Sequence, residues 1–154
     1  MAKVSQHLWF AKDMEGALRF YTSLIPGSSL EFISGLPADT PSGPEGSVRL
    51  AGFTLGDQRY MAIEAGGMEP FNHSFSVVVQ CDDQAEIDRL WDALKEGGST
   101  ERCGWLKDRW GLSWQIVPRR LGELMSGPAA KRVTEAMLKM VKFDIAGLEA
   151  AAKG

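Results

Sequence analysis

Residues that could carry nucleophilic, acid–base or metal chemistry are few. The chain of 154 residues holds two histidines, His7 and His73, and two cysteines, Cys81 and Cys103. The cysteines are too sparse for a Cys-x-x-Cys metal site or a disulfide framework, so we expect two free thiols. Cys103 has no histidine or predicted helix N-terminus beside it, which favours a structural thiol. We expect His7 to be a packing or surface residue and His73, at the mouth of a strand, to be exposed.

The hydrophobic pattern predicts the elements that must position these groups. A strand over 4–10 precedes a helix that Asp13 can cap, with an apolar face formed by Ala17, Phe20, Tyr21 and Leu24. Strands over 30–34, 48–55 and 60–64 follow, and the Gly- and Pro-rich segment 35–47 is predicted to be a mobile loop. The order is βαβββ.

The same order then repeats. A strand over 75–81 and a helix ending at Gly97-Gly98 carry the apolar face Ile87, Leu90, Trp91 and Leu94. An offset of 70 residues places Asp13 on Asp83 (83 − 13 = 70), and an offset of 51 places Asp57 on Asp108 (108 − 57 = 51). We interpret this as an internal repeat of one supersecondary unit. The repeat places Trp91 and Trp114 in the core, which leaves Trp105 and Trp110 as tryptophans that could line a pocket.

Composition excludes several classes of function. A hydrophobic content of 44% and a formal charge of −3 predict one globular domain without the basic patch of a nucleic-acid-binding protein. No apolar run approaches the roughly 18 residues of a membrane span, and no secretory signal is evident. We therefore expect a cytoplasmic protein that binds neither nucleic acid nor membrane.

Three segments carry a resemblance to a known family: LWFAKDMEGALRFYTSLIPGS, CGWLKDRWGLSWQIVP and AMLKMVKFDIAGLEAA. They resemble the PhnB-like (demethylubiquinone methyltransferase-like) branch of the vicinal oxygen chelate superfamily, which includes glyoxalases, bleomycin-resistance proteins and dioxygenases. The resemblance implies an α+β fold in which two tandem βαβββ modules form a cupped mixed sheet, usually as a homodimer. We assign the domain to 1–120 (module one 1–66, module two 72–118) and a C-terminal helical extension to 121–154.

The resemblance also implies a site, because four inward residues of the superfamily's cup bind a divalent metal. Matching the family pattern and the two offsets to this chain gives Gln6, Glu64, Ser76 and Gln115. Strand alternation then predicts that Leu8, Ala62 and Val78 share the cup side with them, while Val77 and Trp114 face the helices. One carboxylate, two amides and a hydroxyl make a poor transition-metal site, although a weakly held hard cation fits oxygen donors. We therefore predict no cofactor.

Three functions are compatible with these residues. The first is a module that holds a small molecule through six candidate ligand-binding residues: Gln6, Glu64, Ser76, Gln115, Trp105 and Trp110. The second is a lyase, isomerase or oxygenase that uses Glu64 as the catalytic base, with or without a weak metal. The third, a methyltransferase, has little support, because Phe10-Ala11-Lys12-Asp13 lacks the glycines of a nucleotide-binding turn. Alternatively, Gln6, Ser76 and Gln115 are buried polar groups that pair with one another.

Overall fold

The computed structural model describes residues 3–67 and 69–154. The chain divides after Pro70 into two compact units, and each has the order βαβββ. The first unit comprises β1 (Gln6–Phe10), α1 (Met14–Leu24), β2 (Ser29–Gly35), β3 (Arg49–Leu55) and β4 (Gln58–Glu64). The second comprises β5 (Ser76–Cys81), α2 (Gln84–Lys95), β6 (Ser99–Thr100), β7 (Trp105–Lys107) and β8 (Ser113–Pro118).

Both sheets have the same topology. The strand orders are β1-β4-β3-β2 in the first unit and β5-β8-β7-β6 in the second. In each, the first and last strands of the unit pair in parallel, and the other neighbours are antiparallel. The predicted α+β class and the tandem βαβββ modules are therefore confirmed.

In the first unit, α1 covers one face of the sheet. Its buried residues are Met14, Ala17, Leu18 and Tyr21, which follow the i, i+3, i+4, i+7 spacing of a helix face. The predicted face was wrong in part, because Phe20 and Leu24 are only half-buried. The stripe that packs on the sheet begins one turn earlier, at Met14.

In the second unit, α2 buries the four residues predicted from its periodicity: Ile87, Leu90, Trp91 and Leu94. Trp114 on β8 is fully buried, and its indole Nε1–H donates a 2.9 Å hydrogen bond to Oδ2 of the buried Asp108. The prediction that Trp91 and Trp114 belong to the core is confirmed. A buried indole N–H needs such an acceptor, since leaving it unpaired would cost free energy.

The predicted loop 35–47 connects β2 to β3 and is closed at its base by backbone hydrogen bonds. The N–H of Leu36 donates to the carbonyl of Val48 (2.8 Å), and the N–H of Gly46 donates to the carbonyl of Leu36 (2.8 Å). The segment is therefore a compact surface loop with its own pairing.

The C-terminal extension forms α3 (Leu121–Ser126), α4 (Ala130–Met137) and α5 (Ile145–Lys153) and packs on the second unit. The N–H groups of Cys103 and Gly104 donate to the carbonyls of Met140 and Val141 at 2.9 and 2.8 Å. Gly104 has φ 79°, and a Cβ there would lie 2.5 Å from the ring of Phe143. This crossing therefore requires glycine. None of the helices in 3–67 or 69–154 has the length and apolar character needed to cross a bilayer.

Candidate functional site

Two of the predicted site residues, Gln6 and Glu64, lie on the sheet face that α1 covers. Through the register of β1 with β4, they share a sheet face with the buried Leu8 and Ala62. Oε2 of Glu64 accepts a 2.8 Å hydrogen bond from the N–H of Met14, so this face is the one that α1 covers. Oε1 of Gln6 is buried, and it has no hydrogen-bond partner in the described part of the chain. The expectation that Gln6, Glu64, Leu8 and Ala62 face the open side of the sheet, away from the helix, is therefore wrong.

The length of the connection before the helix explains this error. The N–H of Ala65 donates to the carbonyl of Phe10, as that of Arg119 donates to the carbonyl of Cys81, so Phe10 and Cys81 are equivalent strand ends. Two residues separate Phe10 from Asp13, but only one separates Cys81 from Asp83. An offset that aligns the helix caps therefore slips the strands by one residue, which moves every side chain to the opposite face.

Ser76 and Gln115 lie on the open face of the second sheet, which we define as the face turned away from α2. Gln115 Nε2 donates a 3.0 Å hydrogen bond to Ser76 Oγ. Val78, which pairs with Gln115 in the register, is 50% exposed, whereas Val77 and Trp114 are buried. The predicted facing of Val78, Val77 and Trp114 is confirmed.

Turn length explains why Gln115 does not correspond to Glu64. Two residues join β3 to β4, whereas five, Asp108 to Leu112, join β7 to β8. Glu64 pairs with Phe10 as Pro118 pairs with Cys81, so the structural equivalent of Glu64 is Pro118. An alignment on the turn aspartates pairs Glu64 with Gln115, three residues before Pro118. Because three is an odd number, Gln115 points to the opposite face of its sheet from Pro118.

The open face of the second sheet carries further groups suited to binding. Trp105 lies directly across from Gln115, and Lys107 lies across from Ser113. Ser113 is fully buried, and its Oγ has no hydrogen-bond partner within 3–67 and 69–154. A buried hydroxyl in this state costs free energy until a partner reaches it. An aromatic ring, an amide, two hydroxyls and an ammonium group thus share one face.

His73 reaches the Trp105 end of this face. Its Nε2 lies 2.7 Å from Oε1 of Glu101, and its ring centroid lies 5.7 Å from that of Trp105. The side chain of His73 is 53% exposed, as expected, and that of Glu101 is 29% exposed. The sequence alone does not indicate this pair, because the two residues are 28 positions apart and no local motif links them.

Trp110, the second tryptophan proposed for a pocket, lies in the β7–β8 turn, whereas Trp105 begins β7. The carboxylate of Asp108 holds this turn by accepting the N–H groups of Trp110 (2.9 Å) and Leu112 (3.1 Å). The Arg109 guanidinium carbon lies 4.8 Å from the centre of the Trp110 ring. Trp110 is therefore a turn residue at the other end of the β7–β8 hairpin from Trp105.

Comparison with known proteins places this geometry in a family. Residues 2–117 match the family described as 3-demethylubiquinone-9 3-methyltransferase. The chain belongs to this PhnB-like family. The PhnB protein of Bacillus cereus, whose description carries the same methyltransferase name, is 32% identical, with a TM-score of 0.66 and coverage of 76% of this chain and 99% of that chain. The PhnB-like family is part of the vicinal oxygen chelate superfamily, so the predicted membership is confirmed.

More distant structures share the PhnB-like fold alone. Protein PA1353 from Pseudomonas aeruginosa is 23% identical, with a TM-score of 0.61 and coverage of 77% and 98% of the two chains. The fosfomycin resistance protein FosX from Mesorhizobium loti is 15% identical, with a TM-score of 0.54 and coverage of 82% and 100%. No curated protein has a significant sequence match.

The divalent metal of the wider superfamily does not fit the mapped residues in this PhnB-like chain. Glu64 supplies their only carboxylate, which binds the N–H of Met14 and lies 4.0 Å from Arg49 Nη1. Ser76 and Gln115 bind each other. Across 3–67 and 69–154, no three His, Cys, Asp or Glu side chains cluster closely enough to hold a metal ion. Since transition metals favour imidazole, thiolate and several carboxylates, these donors suit hydrogen bonding better.

Proposed function

We propose that this PhnB-like protein binds a small organic molecule against the open face of the second sheet. The observation that carries the proposal is the buried Ser113 hydroxyl, which has no partner among the described residues and lies beside the Gln115–Ser76 pair. Leaving such a hydroxyl unpaired costs about 1–3 kcal/mol. Because Ser113 is 0% exposed, a ligand reaches this hydroxyl only by displacing the side chains that cover it, and a polar group placed there then recovers that free energy.

The neighbouring side chains narrow the ligand class. The Trp105 ring offers a surface for a planar apolar body, and Gln115 offers both a donor and an acceptor beside it. The ligand class that we propose is a planar ring with oxygen substituents. A demethylubiquinone, the compound in the family's name, has such a ring.

The first experiment titrates the protein with 3,4-dimethoxyphenol, using cyclohexanol as a non-planar control compound. We expect Trp105→Leu and Ser113→Ala each to weaken binding of the phenol about tenfold, because one aromatic contact or one hydrogen bond contributes about 1 kcal/mol or somewhat more. Trp110→Leu is the matched control and should bind like the wild type. Absence of binding, or equal affinities in Trp105→Leu and Trp110→Leu, would refute the proposal.

The 2.7 Å contact between His73 and Glu101 favours a second candidate function, an acid–base enzyme acting on the same ligand. A carboxylate that orients an imidazole is a recurrent arrangement in general base catalysis. In this reading, His73 rather than Glu64 is the base, since the Glu64 carboxylate is bound to the N-terminus of α1. Exchange of a ligand C–H proton with deuterium, lost in His73→Gln while ligand affinity persists, would support it.

Methyl transfer is not part of our proposal. Each unit has a four-stranded mixed sheet, whereas S-adenosylmethionine enzymes commonly use a doubly wound parallel sheet. The turn after β1 also lacks glycine. Calorimetric titration with S-adenosylmethionine is therefore expected to give no binding, and saturable binding would reinstate the activity in the family's name.

A further inference from the structure

A concavity lies within the second unit, away from the open face of the sheet. It is a cleft of about 350 Å³ between the start of α2, the end of β8 and the C-terminal extension. This volume is within the range of small-molecule pockets, roughly 300–1,000 Å³. The family match ends at residue 117, and the far wall is built by residues beyond it.

The walls of the cleft are held in place before any ligand arrives. Gln84 bridges α2 and the extension: its Nε2 donates to the carbonyl of Phe143 (2.9 Å), and its Oε1 accepts from the N–H of Ile145 (2.8 Å). The N–H of Arg119 donates to the carbonyl of Cys81 (2.8 Å), which fixes the end of β8. A site formed in advance spares a ligand the cost of ordering it.

The interior of the cleft is apolar, whereas its mouth is charged. The apolar lining consists of Cys81, Pro118, Leu124, Ile145, Ala146 and Leu148. The mouth carries four carboxylates and two guanidiniums, a formal charge of −2. Even with about half a positive charge from each of the N-termini of α2, α3 and α5, the mouth stays slightly negative.

The cations at the mouth are already neutralised. Arg119 Nε lies 2.6 Å from Asp82, and Arg120 Nη1 lies 2.6 Å from Glu149. The nearby Lys142 is paired with Asp88 at 2.8 Å. Asp144, at the N-cap of α5, makes no side-chain capping bond. Its carboxylate is thus the anion at the mouth that is available to a ligand.

We infer that this cleft binds an amphiphilic amine, with the apolar body against Leu124, Ile145 and Leu148 and the ammonium group beside Asp144. The site is separate from the open face of the sheet, so it does not depend on the function proposed above. Charge complementarity selects the amine over a carboxylate of the same shape.

The test compares three ligands that share one body: 4-phenylbutylamine, 4-phenylbutanol and 4-phenylbutyrate. Calorimetry on the full chain at low salt is expected to give the lowest Kd for the amine, at least about tenfold below that of the carboxylate, equivalent to about 1.4 kcal/mol. A lower Kd for 4-phenylbutyrate, or no binding of the amine, would overturn the proposal.

Variants locate the binding. Asp144→Asn should weaken the amine roughly threefold, as expected for one exposed ion pair, and leave the alcohol unchanged; Asp92→Asn is the control. Ala146→Trp should fill the cleft and abolish binding of all three compounds, whereas Ala150→Trp, on the same helix outside the cleft, should not. Three results would contradict the assignment: amine binding that persists in folded Ala146→Trp, amine affinity that is unchanged in Asp144→Asn, or amine binding that is lost in Trp105→Leu.

Discussion

The N–H of Met14, the first residue of α1, donates a 2.8 Å hydrogen bond to Oε2 of Glu64 at the end of β4. The preceding residue, Asp13, has φ 56° and makes no capping bond with its own side chain. A carboxylate from the sheet therefore takes the role that the N-cap residue usually has, and its negative charge interacts favourably with the positive end of the helix dipole. Glu64 joins α1 to the sheet.

Glu64→Ala should lower the free energy of unfolding by about 1–2 kcal/mol, the usual cost of losing a helix cap. Glu64→Gln keeps an acceptor oxygen and should lose less. Urea denaturation measures both, with Glu69→Ala, an exposed carboxylate outside the strands, as control. If Glu64→Ala abolished ligand turnover at unchanged stability, Glu64 would be a catalytic base instead.

Stability at alkaline pH should depend on Cys81. Burial, with a smaller contribution from Glu86, raises the pKa of the Cys81 thiol from its ordinary value of 9.0 to about 12. Between these two values the unfolded chain releases this proton and the folded chain keeps it, so the free energy of unfolding falls as pH rises above about 9. The fall from this thiol is at most about 1.4 kcal/mol per pH unit.

Urea denaturation at pH 8, 9.5 and 10.5 should therefore show a steeper loss of stability for the wild type than for Cys81→Ala. The lysines and tyrosines titrate in both proteins, so the difference between the two slopes isolates Cys81. Parallel slopes would mean that the thiol is solvated in the folded state.

We predict that the purified protein holds no stoichiometric transition metal, because the Glu64 carboxylate is bound by Met14 and Arg49. EDTA, zinc and nickel should each leave the melting temperature unchanged. Ser76→His should also gain no metal affinity, since Gln6 and Glu64 lie on the helix-covered face of their own sheet. Elemental analysis giving near one zinc, nickel or iron per chain would refute the prediction.

We also predict a homodimer, as the superfamily resemblance implies. Phe32 is 41% exposed, and further large apolar side chains, Val78, Leu138 and Val141, are exposed as well. A subunit contact would bury apolar side chains of this kind. Light scattering at micromolar concentration should give twice the mass of 16.9 kDa; a mass of one chain would exclude the dimer.

Much of the fold could be predicted from local pattern. The alternation of strand and helix periodicity defined two βαβββ modules, and the spacing of Ile87, Leu90, Trp91 and Leu94 identified the buried face of α2. Such periodicity survives folding, because a stripe of apolar side chains is buried wherever its helix meets a sheet. It does not specify which polar residues from distant strands share a face.

The candidate site was decided by tertiary structure. One extra residue before α1 puts Gln6 on the helix-covered face of its sheet and Ser76 on the open face of the other. A β7–β8 turn three residues longer than the β3–β4 turn does the same for Glu64 and Gln115. His73 meets Glu101 across 28 residues. The sequence by itself determined the elements and their order, through local periodicity. Only the tertiary structure decided which face of its sheet each polar side chain points to. Strand side chains alternate with a period of two, so any odd difference in loop length between the two units reverses their direction.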